Sequence, residues 1–367
     1  MLERFKVPLA DQVLVSPEDL HTTVTGIFQA LGVPEEDAKR GADHLVATDL
    51  RGVESHGVSN MLRHYVAYYQ SGQLKPRPSW RIERESLATA TIDGDQGLGI
   101  IQGRPAMELA IEKARTAGVG MVTLRNSGHI GAVGDFAMLA AQQDMIGVCM
   151  TASGPSVLPT FGAEPRLGTN PYAIAAPTRR MPPLLFDVAT SAVPINKIAI
   201  AQRVGAMIEP GWISTRDGVP IMEPSPPPVG ENYWLLPLGG SREQGSHKGY
   251  GFGLMVEIFT NLLSGAMPEM LLEDDDYAHA FTVYNIEAFL DVERFKERLD
   301  AVLEKLMATP SAPGAPPVIY PGWPEYQTER ERRANGIPLH REVVAWIDQT
   351  TTELGSTPLE RSRQPAG

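Results

Sequence analysis

The chain has 367 residues, of which 43% are hydrophobic and 21% charged, a balance that belongs to folded globular proteins and excludes disorder along its length. At about 100–200 residues per domain this is one elaborate domain or two interleaved lobes. Thirty-two basic residues against 44 acidic ones leave a formal charge of −12, and no Lys/Arg run is long enough to offset it, so no nucleic-acid partner is expected.

The single cysteine, Cys149, lies in the apolar run IGVCM and reads as a buried core thiol. The opening MLERFKVPLADQV carries charges and no apolar stretch of secretory type, so a cytoplasmic protein is expected. The longest uncharged window, Met145 to Ala163, contains Gly147, Gly154, Pro155 and Pro159. It reads as strand plus loop, with no membrane partner.

In chain order, Ser16-Pro17-Glu18-Asp19 supplies an N-cap, a proline at the first helical position and acids in the first turn, predicting a helix over 17–31. A second helix starts at Pro34, with Ala38, Ala42, Leu45 and Val46 at helical spacing, and a third spans about 56–70, ended by Gly72, Pro76 and Pro78. From Leu87 short apolar runs (LATATID, GMVTL) alternate with glycine turns, around one amphipathic helix over 104–116. Between 145 and 290, β-like runs (IGVCM, YAIAA, LLFDV, FTVYNI) are joined by Gly/Pro-rich loops, with helices near 195–203 and 250–263. Asp291 caps a helix to about Met307, PSAPGAPP and YPGWP form a connection, and a last helix runs over about 340–351.

The expected fold is α/β of the α+β kind. A helical lobe over 1–86 packs with a C-terminal helix in 338–355, a mixed-sheet region covers 87–337, and a polar tail over 356–367 is expected to be mobile. There is no internal repeat. Gly97-Leu98-Gly99 lacks the third glycine of a Rossmann fingerprint, and no Walker lysine motif occurs. No zinc or EF-hand pattern is present, and Glu273-Asp274-Asp275-Asp276 reads as a solvated acidic loop, so no metal is expected.

Three polar islands remain, each among small residues. In the first, Arg51 to Val58, His56 lies at a predicted helix start, where the helix dipole lowers an imidazole pKa and Ser55 can orient the ring. That suits proton transfer near neutral pH, although a capping or surface histidine is an equal reading. In the second, Asn126 to Ala132, His129 lies between a strand and a helix, where backbone N–H groups suit a diphosphate or carboxylate. The third joins Gly168-Thr169-Asn170-Pro171, Asp187 to Ser191, and His247-Lys248-Gly249. Turn geometry alone also accounts for such Gly- and Asn-rich stretches.

The colinear order SHGV, NSGHIGAVGDF, LGTNP, FDVATS, GW with a following DG, PLGG and HKGYGFGLMVEI resembles the type 2 malate/L-lactate dehydrogenase family, which includes enzymes similar to sulfolactate and ureidoglycolate dehydrogenases, diketogulonate reductase and piperideine-2-carboxylate reductase. The resemblance runs from about Pro17 to Leu339. It implies a non-Rossmann, largely antiparallel fold that binds NAD or NADP, a small acid substrate and a homodimer. It makes His56 the proton donor and acceptor with Ser55 in orienting contact, and His129 a second catalytic histidine near nicotinamide and substrate, which in some members is itself the base. The matching cofactor stretches are Gly128, His129, Ile130, Gly131, Ala132 and Val133, then Ser153, then Asp187, Val188 and Ala189, then His247 and Lys248; Thr169 and Asn170 match the substrate end.

Two departures stand out. Many relatives carry a carboxylate-clamping arginine four residues after the histidine, where this chain has Asn60, and often a glycine where it has Asn196. On a helix His56, Asn60, Arg63 and His64 would share a stripe, which would let Arg63 substitute for the clamp. The resemblance therefore implies a 2-hydroxy acid dehydrogenase. Its alternatives are a cyclic imine acid reductase and a binding protein that has lost catalysis.

Overall fold

The computed structural model describes residues 3–230, 232–271 and 277–360. The acidic run Glu273 to Asp276 and the tail beyond 360 lie outside the described residues. Among these residues no helix is long and apolar enough to cross a membrane.

The chain opens with β1 (Gln12–Val15), followed by α1 (Pro17–Ala30), α2 (Glu35–Leu50) and α3 (Arg63–Ser71). Ser16 caps α1 by accepting from the Asp19 N–H at 3.0 Å, with Pro17 at the first position, where its missing N–H costs nothing. Then come β2 (Arg81–Glu85), β3 (Thr89–Gly97), α4 (Gly99–Ala117), β4 (Val119–Ser127), α5 (Val133–Ala141) and β5 (Met145–Thr151). The strands β6 (Tyr172–Ala176) and β7 (Leu184–Val188) precede α6 (Ile195–Val204), the short β8 (Ile213–Ser214) and β9 (Trp234–Leu235), and α7 (Ser246–Glu257). The chain closes with β10 (Tyr277–Asn285), α8 (Val292–Met307), α9 (Trp323–Asn335), β11 (Ile337–His340) and α10 (Arg341–Leu354).

Seven strands form one sheet in the order β2-β3-β4-β10-β5-β6-β7. Only β3 and β4 pair in parallel; every other neighbour is antiparallel. Alternation along β10 divides the sheet's faces: Phe281 and Val283 face α4 and α5, while Ala280 packs with Val256 at the end of α7. A second core joins α1, α2 and α3 with β11 and α10, and the β1–β11 pair brings the two chain ends together.

Several expectations need correction. The edge strand β2 lies inside the stretch assigned to the helical lobe. All five of its residues are exposed, so no alternation marks it. Residues 356–360, expected to be mobile, pack on the lobe: Leu359 is buried and the Pro358 carbonyl accepts from Thr23. α4 begins five residues before the predicted 104, at Gly99, which lies so close to the Gly128 carbonyl that a Cβ would come within 2.3 Å. Cys149 is buried in β5 as expected, and burial pushes its thiol pKa up.

Candidate active site

The segment after α2 is shaped from beneath by a buried acid. Asp49, fully buried in the last turn of α2, accepts the Val58 N–H at 2.8 Å, and Gly57 passes so close that a Cβ would meet Asp49 Oδ1 at 2.1 Å. From the other side Arg332 of α9 donates to the Asp49 carbonyl and to Glu54 Oε1, each at 2.6 Å. The turn thus held presents Ser55 and His56, with Ser55 Oγ 2.8 Å from His56 Nδ1.

His56 precedes the helix rather than belonging to it. Residues Val58–Leu62 form a π-helical turn that leads into α3. The lowered imidazole pKa has a different cause from the expected helix dipole. The ring lines the cleft, and burial, with repulsion from the Lys197 ammonium, holds its pKa at about 4.

Between β4 and α5 the loop 128–132 is fixed by three other histidines. His129 Nδ1 receives the Gly131 N–H at 3.1 Å and lies 2.8 Å from the Tyr65 hydroxyl. A nitrogen that accepts from a backbone N–H carries no proton, so Tyr65 is the donor and the His129 proton is on Nε2. His44 Nε2 likewise accepts the Ala132 N–H at 3.2 Å, so its Nδ1–H donates to Asp135 at 3.0 Å. The buried His279 bridges Thr151 Oγ1 at 2.8 Å and the Gly128 carbonyl at 3.1 Å. The His56 and His129 rings stack at 5.8 Å with 10° between planes, and Tyr277 stands edge-on to His129.

In front of His56 opens a cavity of about 580 Å³. Its wall takes Arg51 to His56 from the first island, Gly131 to Asp135 from the second, Thr169, Leu185 to Ala189, Lys197, and Tyr320 to Gly322 with Pro324 and Glu325.

The model of the malate/L-lactate dehydrogenase family matches residues 15–348. The malate dehydrogenase of Pyrococcus horikoshii is 41% identical over 94% of this chain and 96% of its own length, and the L-sulfolactate dehydrogenase of Methanocaldococcus jannaschii is 35% identical over 94% and 98%. The chain belongs to the malate/L-lactate dehydrogenase family. The solved malate dehydrogenase from Entamoeba histolytica superposes with a TM-score of 0.89 at 34% identity, covering 95% of this chain and 99% of that one. Membership places the chain among oxidoreductases.

The residues singled out from sequence and family resemblance divide into two groups. Ser55, His56, Gly131, Ala132, Val133, Thr169, Asp187, Val188 and Ala189 line the cavity, with His129 stacked on His56. Gly128, Ile130, Ser153, Asn170, His247, Lys248, Asn60 and Arg63 do not line it. Asn170 is fully buried and holds Glu257, the Gly253 carbonyl and the Ser153 N–H, which makes it a brace beneath Thr169. His247 and Lys248 stand exposed at the start of α7.

Asn60 is spent in both directions: its amide donates to the Glu54 carbonyl at 2.6 Å and accepts from Arg203 at 3.1 Å. Arg63 lies outside, 3.6 Å from Glu342 and over the Trp346 ring. The expected stripe fails because the π-helical turn widens the spiral between 58 and 62, and i, i+4, i+7 no longer share a face. The N–H groups expected to receive an anion at α5 are also answered internally, Gly134 by Asp187 at 2.8 Å and Gly131 and Ala132 by the histidines. Sequence reasoning gave no role to Arg51 and Asp135, although both lie within the stretches it quoted, and missed Lys197, Tyr65 and His44, which no local motif marks.

Proposed function

We propose that this chain is an NAD(P)-dependent dehydrogenase of small 2-hydroxy acids, which also reduces the corresponding 2-oxo acids, with His56 as the group that takes and returns the proton. The observation that carries the reading is the Ser55–His56 pair at the mouth of a cavity of ligand size, with a second histidine of fixed tautomer stacked behind it. One relative, the ureidoglycolate dehydrogenase of Escherichia coli, is named for NAD(+).

The residues fit a dinucleotide. Gly131, Ala132, Ala189 and Gly322 leave the cavity wall open, the Asp187 carboxylate faces it as an acceptor for ribose hydroxyls, and Arg51 is a cation for diphosphate. The wall at Gly322 has φ +96, and a Cβ there would press to 2.8 Å from the Leu185 nitrogen. Asp187 lies in β7 of a sheet with one parallel pair, which supports a dinucleotide site of non-Rossmann type. When bound, nicotinamide supplies or removes the hydride at the substrate's carbonyl carbon.

The protein's own part is proton handling and orientation. Ser55 engages His56 at Nδ1, which leaves Nε2 for the substrate hydroxyl. Being neutral above about pH 4, His56 is a ready base for hydroxy acid oxidation. His129 cannot share that role, because its Nδ1 is taken by two donors and its Nε2 already holds the proton. Stacked on His56, it positions the imidazole that moves the proton. A second copy of the chain would cover the exposed apolar face of Phe252, Leu254, Ile258, Phe259, Leu262 and Leu263, which supports a homodimer.

The test is His56→Gln. It should lower kcat roughly 10²- to 10⁴-fold in both directions while NADH binding, followed by fluorescence, is retained. Undiminished turnover would remove His56 from the mechanism.

A further inference from the structure

The cavity shows which cation is free to meet a substrate. With Asn60 and Arg203 joined to each other, Arg203 also near Glu342 at 3.7 Å, and Arg63 outside, the residues of the expected clamp are occupied elsewhere. Arg51 and Lys197 are the two lysine or arginine side chains on the cavity wall. Arg51 stands on the diphosphate side of the reading above, where its charge also bears on Asp187. Lys197 has no carboxylate within ion-pair distance among the described residues. The acid that bears on it, Glu54, is held by Arg332 at 2.6 Å, and the Lys197 ammonium lies over the face of Phe5, 5.2 Å from the ring centre.

We propose that Lys197 anchors the substrate carboxylate beside His56, in place of the arginine that the family resemblance implies at position 60. This rests on the hydroxy-acid reading above.

Both departures from the family pattern serve this placement. Asn196 donates to the Ser55 carbonyl at 2.8 Å, and Arg203 donates to Asn60. Positions 196 and 203 are two turns apart on one face of α6, so the helix is docked at both ends onto the segment that carries His56. Lys197, next to Asn196, is thereby held at the same cavity as the imidazole. Partial burial lowers its ammonium pKa, the mark of a cation short of solvent and counter-charge. A carboxylate there supplies the counter-charge. It also cancels one of the repulsions that keep a proton off His56, so substrate binding raises the proton affinity of the base that is about to receive one.

The experiment is calorimetric titration of oxamate, an unreactive 2-oxo acid analogue, into the NADH-saturated chain, for the wild type, Lys197→Met and Lys197→Arg. Lys197→Met should weaken oxamate roughly 10- to 100-fold, and Lys197→Arg should restore most of the loss. NADH affinity by fluorescence and the thermal midpoint should stay unchanged. In oxidation, the acid limb of kcat/KM should move to higher pH in Lys197→Met, because the free enzyme has lost a repelling charge. Equal oxamate affinity in wild type and Lys197→Met would overturn the proposal, and so would a parallel loss of NADH affinity, which would assign Lys197 to the cofactor. Oxamate binding that depends on Lys197, without turnover of any hydroxy acid, would sustain the anchor and refute the proposed function. A wild type that binds no oxamate would overturn both.

Discussion

Asp49 lets the cost of shaping the active segment be measured apart from catalysis. It is fully buried, one oxygen accepts the Val58 N–H, and the other has no partner. Burial, reinforced by the Glu54 charge and opposed by Arg332, raises its carboxyl pKa from 3.8 to about 8. The sign follows from linkage. Below pH 3.8 the acid is protonated folded or unfolded, and it costs nothing. Above that the unfolded chain releases the proton while the folded chain keeps it, so stability is lost as pH rises, until about pH 8. Each pH unit is worth about 1.4 kcal/mol, so about 4 kcal/mol is forfeited by pH 7. Asp49→Asn keeps the shape and the acceptor for Val58 but has no proton to lose. It should stabilise the protein by about 2–4 kcal/mol at neutral pH, with a gain that shrinks toward zero as pH falls to about 4. Urea unfolding by tryptophan fluorescence across that range would show it. A variant no more stable than wild type at neutral pH, or a gain independent of pH, would refute the reasoning and mean that Asp49 is ionised in the folded protein.

Two further outcomes follow from the same segment. In hydroxy acid oxidation kcat/KM should hold level down through pH 6.5 and fall only toward about 4, since burial keeps His56 neutral, while in reduction kcat/KM should climb as the pH is lowered toward the same value; an acid limb near 6.5 in initial rates would contradict this. Gly57→Ala drives a Cβ against Asp49 and must displace the turn that carries His56. It should cost roughly 1–3 kcal/mol in urea unfolding together with most of kcat, and wild-type turnover would show that the turn does not need this approach.

What was legible in the sequence was what local chemistry marks. The Asp291 cap and the amphipathic run behind it give α8 as observed, Val292–Met307, and Ser16-Pro17 gives the start of α1. α9 was missed because its segment is charged all round and its one buried side chain is Arg332, so no apolar periodicity shows. The outermost strand, β2, failed for the related reason that both its faces are solvated. In the candidate site, glycines around histidines pointed to two loops whose residues meet at the cavity. The groups that orient them are distant in sequence: Tyr65 lies 64 residues from His129, and Asp135 lies 91 from His44. Nothing near either residue announces its partner.

The same limit explains why the sequence could not rank His56 against His129. Both are flanked by glycine, and burial lowers both imidazole pKa values, so composition and electrostatics treat them alike. Hydrogen bonding separates them. Around loop 128–132 the backbone N–H groups of Gly131 and Ala132 each take one imidazole nitrogen, and burial keeps the Tyr65 hydroxyl protonated and therefore a donor. His129 and His44 are thus committed to single tautomers, and His279 is bridged at both nitrogens. A histidine whose tautomer is fixed by its neighbours can donate or accept, but it cannot exchange a proton without breaking a bond that shapes the loop. His56 is tied only through Nδ1 to a hydroxyl, which can donate or accept as the ring requires. That freedom, more than its pKa, supports the role proposed for His56, to move a proton in both directions of the reaction.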